Sequence, residues 1–577
     1  MRSLRQREPL ESGAGSLVKS SGDRPRVASG LGMRAALVMV VAGVLCWALG
    51  QGIVALWLFM VAAVIVALVL PLPAALVSPL FMGVAGWLVD MLPMVVLIGW
   101  AAVSARWGVS LLRQRRMPRG GRFVWLAVGL AAWTGLGVLA IASADLKHFA
   151  LLFVVQLLIS ATLLAAVDSL QDQESRRRVV TGLLAFVVFL SVAVFLEWIG
   201  VPVQELKDSS VADRVESAYG VDAFTNSLEM IKYVRSSKAG APDLRRALKG
   251  VSSDNPGLPP FEVFKPKFQA WRKNLMVSFE GSARPLEKEL SDAGVELLYD
   301  NVGIAPANNV PRMRSFPRNS LTYAGVCAAL FPLGLYVAWT AADKRRLFGW
   351  FAVMACLFGA ALSLARGSWL ALLIGVIYLA IDGSIPPRRK LQAAAVLAAA
   401  ALAISGLFLV KYGVDPLSAR GEAEGSVNTR EALYSDTVER VSQGNIYFLT
   451  GYGTETARGE GGTSHRLGRY IPSAGTHSTY LNYVYRTGVV GALLLIAIYA
   501  GAWLHARTAA RTADGTERVF ATCVAAAVVT LAAHGMILSL YVEPVYTLVA
   551  SLLLGVALAA GMDARGPLLP WRSGRTR

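Results

Sequence analysis

Charge is in short supply in this sequence. Only 16% of its 577 residues are Asp, Glu, Lys or Arg, where ordinary soluble domains carry about 25%. That shortage argues against a chain made of soluble domains. Cysteine is scarcer still: Cys46, Cys327, Cys356 and Cys523 stand singly inside apolar segments. No CxxC pair and no Cys/His spacing suits a metal ion, so the four read as small buried hydrophobes. No stripe of arginine interleaved with aromatics offers a surface for nucleic acid, and no segment repeats at a fixed period. Neither long polar segment contains an Asp-x-Asp pair of the kind that holds a divalent cation.

What the sequence has instead is apolar length. Hydrophobic residues make up 55% of the chain and the mean hydropathy is +0.51. Apolar runs near the length of a bilayer span recur throughout. Fourteen candidate spans are read, the first at 33–50 and the last at 545–561. The pair flanking Asp90-Met91-Leu92-Pro93 reads as two short spans or as a re-entrant hairpin packed inside the bundle, so 12–14 crossings are expected. The fold class is all-α: a polytopic transmembrane helix bundle with two large loops on its outer side.

The formal net charge is +18, and the Lys/Arg residues sit in short clusters between apolar runs. With the N-terminus inside, the basic loops 106–122, 176–178, 344–346, 388–390 and 505–518 all fall inside, as does the tail 572–577. Merging 72–107 into one crossing would invert the first of these and all that follow, so the agreement among loops supports the count. The basic excess is therefore topology, with attraction to anionic membrane lipids as a side effect. Residues 1–32 read as a cytoplasmic basic tail before a retained span, not as a cleaved signal peptide.

The expected organisation follows. An N-terminal transmembrane bundle occupies 33–199, an outer helical insertion 200–318, and further transmembrane helices 319–410. A second outer loop covers 411–488, C-terminal transmembrane helices 489–562, and a cytoplasmic basic tail 563–577. The insertion has helix-like stretches at 223–234 and 285–297 around a Pro/Gly-rich segment, and no catalytic constellation. The middle of the second loop has the composition of an irregular segment.

The unusual polar residues gather on the outer side. The second loop closes with Ser473-Ala474-Gly475-Thr476-His477-Ser478-Thr479-Tyr480-Leu481-Asn482, ahead of an apolar helix expected from Val489. An imidazole at a membrane edge can accept a proton from a hydroxyl near neutral pH; alone, it equally decorates a helix start. If the helix has begun by then, His477 and Tyr480 share a face. Arg366-Gly367-Ser368-Trp369 forms the outer turn between two spans, where an arginine snorkels, pairs or meets an anion. Asn428-Thr429-Arg430-Glu431 places Arg430 in the first turn of a short helix, where cations are disfavoured unless a carboxylate or an anion faces them. Gly451-Tyr452-Gly453 reads as a tight turn. Two arginines, a glycine turn and a histidine beside an amphipathic tyrosine suit a phosphorylated, lipid-borne substrate, because guanidinium forks bind phosphate oxygens bidentately. Asp90, Asp145, Lys147, His148, Glu197 and Glu543 also fall near the outer surface, and any acid among them is a candidate to orient His477. His465 lies in the irregular loop, His505 reads as a basic-loop residue and His534 as a bundle residue.

Taken in order, Arg366-Gly367-Ser368-Trp369, Arg430, Gly451-Tyr452-Gly453 and His477-Ser478-Thr479-Tyr480-Leu481 resemble the O-antigen ligase and O-antigen polymerase superfamily. Phe316-Pro317-Arg318-Asn319-Ser320-Leu321 resembles the start of that family's core region, so the likeness covers roughly 316–500. The resemblance implies a metal-independent, inverting glycosyltransferase without cofactor, on a GT-C-like helix bundle in the bacterial inner membrane. Its donor would be a glycan on undecaprenyl diphosphate, met at the periplasmic face, and its acceptor lipid A–core. Arg366 and Arg430 would hold the donor diphosphate. His477 would act as general base or diphosphate ligand, while Arg318, Gly451, Gly453 and Tyr480 would line the substrate. The insertion at 200–318 exceeds a minimal ligase and bears on the acceptor.

Within the superfamily, a polymerase of repeat units or a protein O-oligosaccharyltransferase fits the same residues. A transporter of polyprenyl-linked sugars fits less well, because transporters carry charge at the midplane and these spans are nearly uncharged. A non-catalytic assembly protein docking through 200–318 would be indifferent to loss of His477.

Overall fold

A computed structural model describes residues 26–49, 51–88, 92–119, 122–136, 146–199, 315–316, 320–412, 447–451, 478–537 and 543–563, with short pieces at 234–235, 296–297, 434–435, 438 and 441–442. Helices α1 (Arg26–Ala48), α2 (Gly52–Val69), α3 (Leu72–Trp87), α4 (Leu92–Gln114), α5 (Arg122–Leu136), α6 (Leu146–Ser169) and α7 (Gln173–Trp198) form the first half. After the insertion come α8 (Ser320–Thr340), α9 (Asp343–Leu362), α10 (Arg366–Ile381), α11 (Pro387–Tyr412) and the short α12 (Tyr447–Thr450). Helices α13 (Thr479–Thr512), α14 (Gly515–Ile537) and α15 (Pro544–Asp563) complete the chain.

These segments are helical because apolar side chains of this length belong in hydrocarbon, where each backbone N–H and C=O needs a partner within its own segment. Ten of the helices are long and apolar enough to cross a membrane. Four shorter apolar ones, Leu72–Trp87, Trp125–Leu136, Phe153–Ser169 and Arg366–Ile381, fall where the remaining expected spans were read. The polytopic all-α bundle is therefore what the chain forms. Around Asp90, α3 and α4 are separate helices that pack closely where Gly99 meets Pro79 and Gly83 meets Val96, small residues letting the backbones approach. Of the insertion, the structure describes residues 315–316 and a two-residue antiparallel ladder, Val234 paired with Leu297 and Arg235 with Glu296. The rest of both helix-like stretches lies outside the described residues.

Helices α8 and α15 sit at the centre: 89% and 94% of their apolar windows are buried. The windows of α1 and α11 are only 11% and 17% buried, so these two are peripheral, with leucines and valines turned outward as a lipid-facing helix requires.

The basic clusters meet at one end of the bundle. Arg116 grips Asp168 with both guanidinium nitrogens, and the Arg119 amide donates to the same carboxylate, joining the ends of α4 and α6. Arg176 and Arg177 at the start of α7 face Glu517 at the start of α14, and Arg177 also donates to the Tyr336 hydroxyl near the end of α8. Arg389 at the start of α11 reaches the Trp339 carbonyl. His505, read from sequence as a basic-loop residue, is instead a buried residue within α13, where it meets Phe123 edge-on. The loops expected to share a side thus touch one another.

Candidate active site at the opposite end

At the other end of the bundle many contacts among the described residues join uncharged groups. Between α9 and α10 the chain turns within Ser363, Leu364 and Ala365. Ser363 Oγ donates to the Ala360 carbonyl at 2.6 Å and accepts the Ala365 amide at 3.3 Å. Trp369 Nε1 donates to the same Ala360 carbonyl at 2.7 Å. Leu364 has a φ of 52° while wholly buried, a left-handed conformation that costs a leucine about 1 kcal/mol and that these bonds hold. The Arg-Gly-Ser-Trp motif is therefore divided. Trp369 braces the turn, Ser368 points into the bundle, and Arg366 is the first residue of α10, half-buried at its positive end.

Helix α13 begins at Thr479 and is broken at Gly488, so the apolar helix expected from Val489 follows the kink and a helical stretch precedes it. Ser478 is its N-cap, its side chain accepting the Leu481 amide, a bond of the kind that stabilises a helix by about 1 kcal/mol. Tyr480 donates to the Ala532 carbonyl of α14 at 3.1 Å, and Tyr483 to Gln156 Oε1 of α6 at 3.1 Å. His477 immediately precedes the cap, ahead of the helix. It lies outside the described residues, as do Arg318, Arg430, Gly453, Asp90, Asp145 and His465. The chain approaches Arg318 through Ser315, which donates to the Leu190 carbonyl, and Phe316, which packs between Trp87 and Phe189.

Gly451 follows α12 with a φ of 73°, and a Cβ there would collide with the backbone of Arg486 and Thr487. Gly488 answers it: its φ of 69° breaks α13, and a Cβ would strike the backbone of Leu449 and Thr450. Two glycines thus let the short α12 dock backbone to backbone on the kink. Trp133 Nε1 donates to the Thr487 carbonyl at 2.8 Å. In this contact Gly451 is a docking glycine, a use that the GxG pattern alone did not suggest.

Two further groups complete this end. Glu543 directly precedes α15 and is partly buried; burial raises its carboxyl to about 7. His534 near the end of α14 is fully enclosed, its Nε2 2.9 Å from Ser368 Oγ. The sequence reading of His534 as a bundle residue holds, but its tie to the arginine motif had no signal in sequence spacing, since 166 positions separate the two. Among the described residues, Arg366, Tyr480, Gly451 and Glu543 all lie at this end, and the cap beside His477 lies there too.

A polytopic helix bundle with a braced turn and a capped helix start at one end defines a multi-pass membrane protein. Residues 351–496, from within α9 to within α13, match the family described as O-antigen ligase. That segment is similar to O-antigen ligases, a family of ligase- or polymerase-type glycosyltransferases. The matched segment contains Arg366, Arg430, Gly451, Gly453, His477 and Tyr480; Arg318 precedes it. Among curated proteins, none matches the chain.

Proposed function

We propose that this protein transfers a glycan from undecaprenyl diphosphate to an acceptor hydroxyl at the periplasmic face of the bacterial inner membrane, with both termini cytoplasmic. Lipid A–core is the acceptor favoured by the ligase likeness. The observation that carries the reading is the Arg366 turn, braced by Ser363 and Trp369 at the same end as the helix start that follows His477, within a segment of O-antigen ligase type.

The acceptor oxygen attacks the anomeric carbon. The bond from that carbon to the diphosphate oxygen breaks, and its electron pair leaves with undecaprenyl diphosphate. His477 takes the hydroxyl proton. Arg366 and Arg430 face the negative charge that grows on the leaving diphosphate, where fixed cations lower the barrier most. A single displacement of this kind inverts the anomeric centre. Arginine supplies the neutralisation that a divalent cation supplies elsewhere, and Arg318, Gly453 and Tyr480 line the path of the substrate. Gly451 shapes that path by docking α12 on α13.

The test is glycan transfer in membranes containing EDTA, with wild type, Arg366→Ala, Arg430→Ala and His477→Ala at matched expression. Donor is undecaprenyl-diphosphate glycan and acceptor lipid A–core. Transfer by wild type that collapses in all three variants is expected. Longer chains on the carrier, with none on lipid A–core, would identify a polymerase instead. Full activity of His477→Ala would remove the histidine from the mechanism.

A further inference from the structure

Packing alone does not explain the imidazole of His534. A leucine would fill a comparable volume, whereas a polar ring this deep in a bundle is costly unless its nitrogens are engaged. Both are. Nε2 lies 2.9 Å from Ser368 Oγ on α10, and Nδ1 lies 3.0 Å from the Tyr546 hydroxyl on α15. A neutral imidazole has one donor and one acceptor, so the two bonds run in a single direction, and either hydroxyl can serve at either end. Helix α8 makes room, because a Cβ on Gly325 would collide with the rings of both His534 and Tyr546. The close crossing of α10 and α14 at Gly375 and Thr530 brings Ser368 within reach.

The two partners are placed with consequence. Ser368 is in the first turn of α10, two residues after Arg366. Tyr546 is in the first turn of α15, three residues after Glu543. Just before His534 on α14, the Ala532 carbonyl takes the Tyr480 hydroxyl from α13. One ring therefore joins the three helices whose ends converge on the proposed reaction.

We infer that His534 is a positioning residue: it fixes the start of α10, and Arg366 with it, against α14 and α15, so that the guanidinium meets the leaving diphosphate in one geometry. The inference rests on the reading of Arg366 as a diphosphate ligand. Misplacing a catalytic group by about 1 Å costs on the order of a hundredfold in rate, so loss of this clasp falls mainly on kcat.

The experiment uses the full chain in nanodiscs, with undecaprenyl-diphosphate glycan as donor and the acceptor that wild type elongates. Values of kcat and KM, together with a melting curve, are compared for wild type, His534→Ala, His534→Gln, His534→Asn, Ser368→Ala and Tyr546→Phe. The glutamine amide reaches where Nε2 stands and preserves the bond to Ser368; the asparagine amide reaches only the Nδ1 side. We expect His534→Ala, His534→Asn and Ser368→Ala to lose about tenfold or more in kcat, with donor KM little changed and His534→Gln keeping most of the rate. Ser368→Ala removes one hydroxyl and leaves the ring in place, so it reports even where His534→Ala does not fold. Unchanged kcat in Ser368→Ala, or equal rates for the Gln and Asn variants that merely follow their melting temperatures, would overturn the positioning role alone. Absence of any transfer by wild type would overturn the parent reading and this one with it.

Discussion

The two ends of the bundle use polar residues in different ways. At the basic end, arginines meet carboxylates and carbonyls across helices: Arg116 with Asp168, Arg176 and Arg177 with Glu517, and Arg106 with the carbonyls of Ala67 and Leu70. These charges are neutralised in place and act as fasteners. At the far end several cross-helix bonds among the described residues run through uncharged groups, from Ser368 to His534 to Tyr546 and from Tyr480 to the Ala532 carbonyl. Neutral bonds there join α10, α13, α14 and α15. The difference is between arginines that fasten the described helices at one end and uncharged groups that do so at the other.

Substitutions can break or sharpen that contrast. The largest effect belongs to Arg366→Ala, expected to lower kcat for glycan transfer by about a hundredfold or more, as loss of a transition-state charge contact does. Gly451→Ala comes next. A side chain at a φ of 73° against the backbone of Arg486 and Thr487 should undock α12, read as easier proteolysis near that turn and a several-fold loss of transfer. Arg116→Ala is the opposite case. It leaves Asp168, whose side chain is only 2% exposed, without its bidentate partner. The expected cost is about 2 kcal/mol, less than for a fully buried pair because Arg116 itself is a third exposed, with activity per folded molecule unchanged.

Trp369→Phe tests the brace. It deletes one bond to the Ala360 carbonyl, worth about 1 kcal/mol, and should reduce kcat several-fold while KM holds. A pH test falls on Glu543, whose carboxyl stands at about 7 in the fold, above the ordinary range for glutamate. The folded state binds this proton more tightly than the unfolded chain does. Stability therefore falls as pH rises from about 4.5 toward 7, and the loss is complete above that window. Melting curves at pH 5 and pH 8 should show this slope in wild type and not in Glu543→Gln.

The bundle was legible because each apolar run had to become a helix: hydrocarbon leaves the backbone no alternative. Hydropathy failed at helix ends. Thr479, Asn482 and Arg486 made the start of α13 look like loop, yet the Ser478 cap and the docking of Tyr480 and Tyr483 carry the helix back to Thr479. The same blindness hid the roles within Arg366–Trp369. Sequence marked the arginine as costly, but only the fold shows that Trp369 and Ser363 meet on one carbonyl. His534 was recognised as a bundle residue and no more, because its partners lie on helices far away in sequence. Gly451 followed a pattern typical of ligand-facing turns, and its contact with the α13 kink needed coordinates.

The space that Gly325 leaves for His534 and Tyr546 ties three helices into one unit of inheritance. A lineage that replaced the imidazole with a small residue would open room for a side chain at position 325, and the Ser368 and Tyr546 hydroxyls would lose their shared partner. Positions 325, 368, 534 and 546 should therefore drift together among descendants of this chain. Arg113, exposed at the basic end, is free to change by itself.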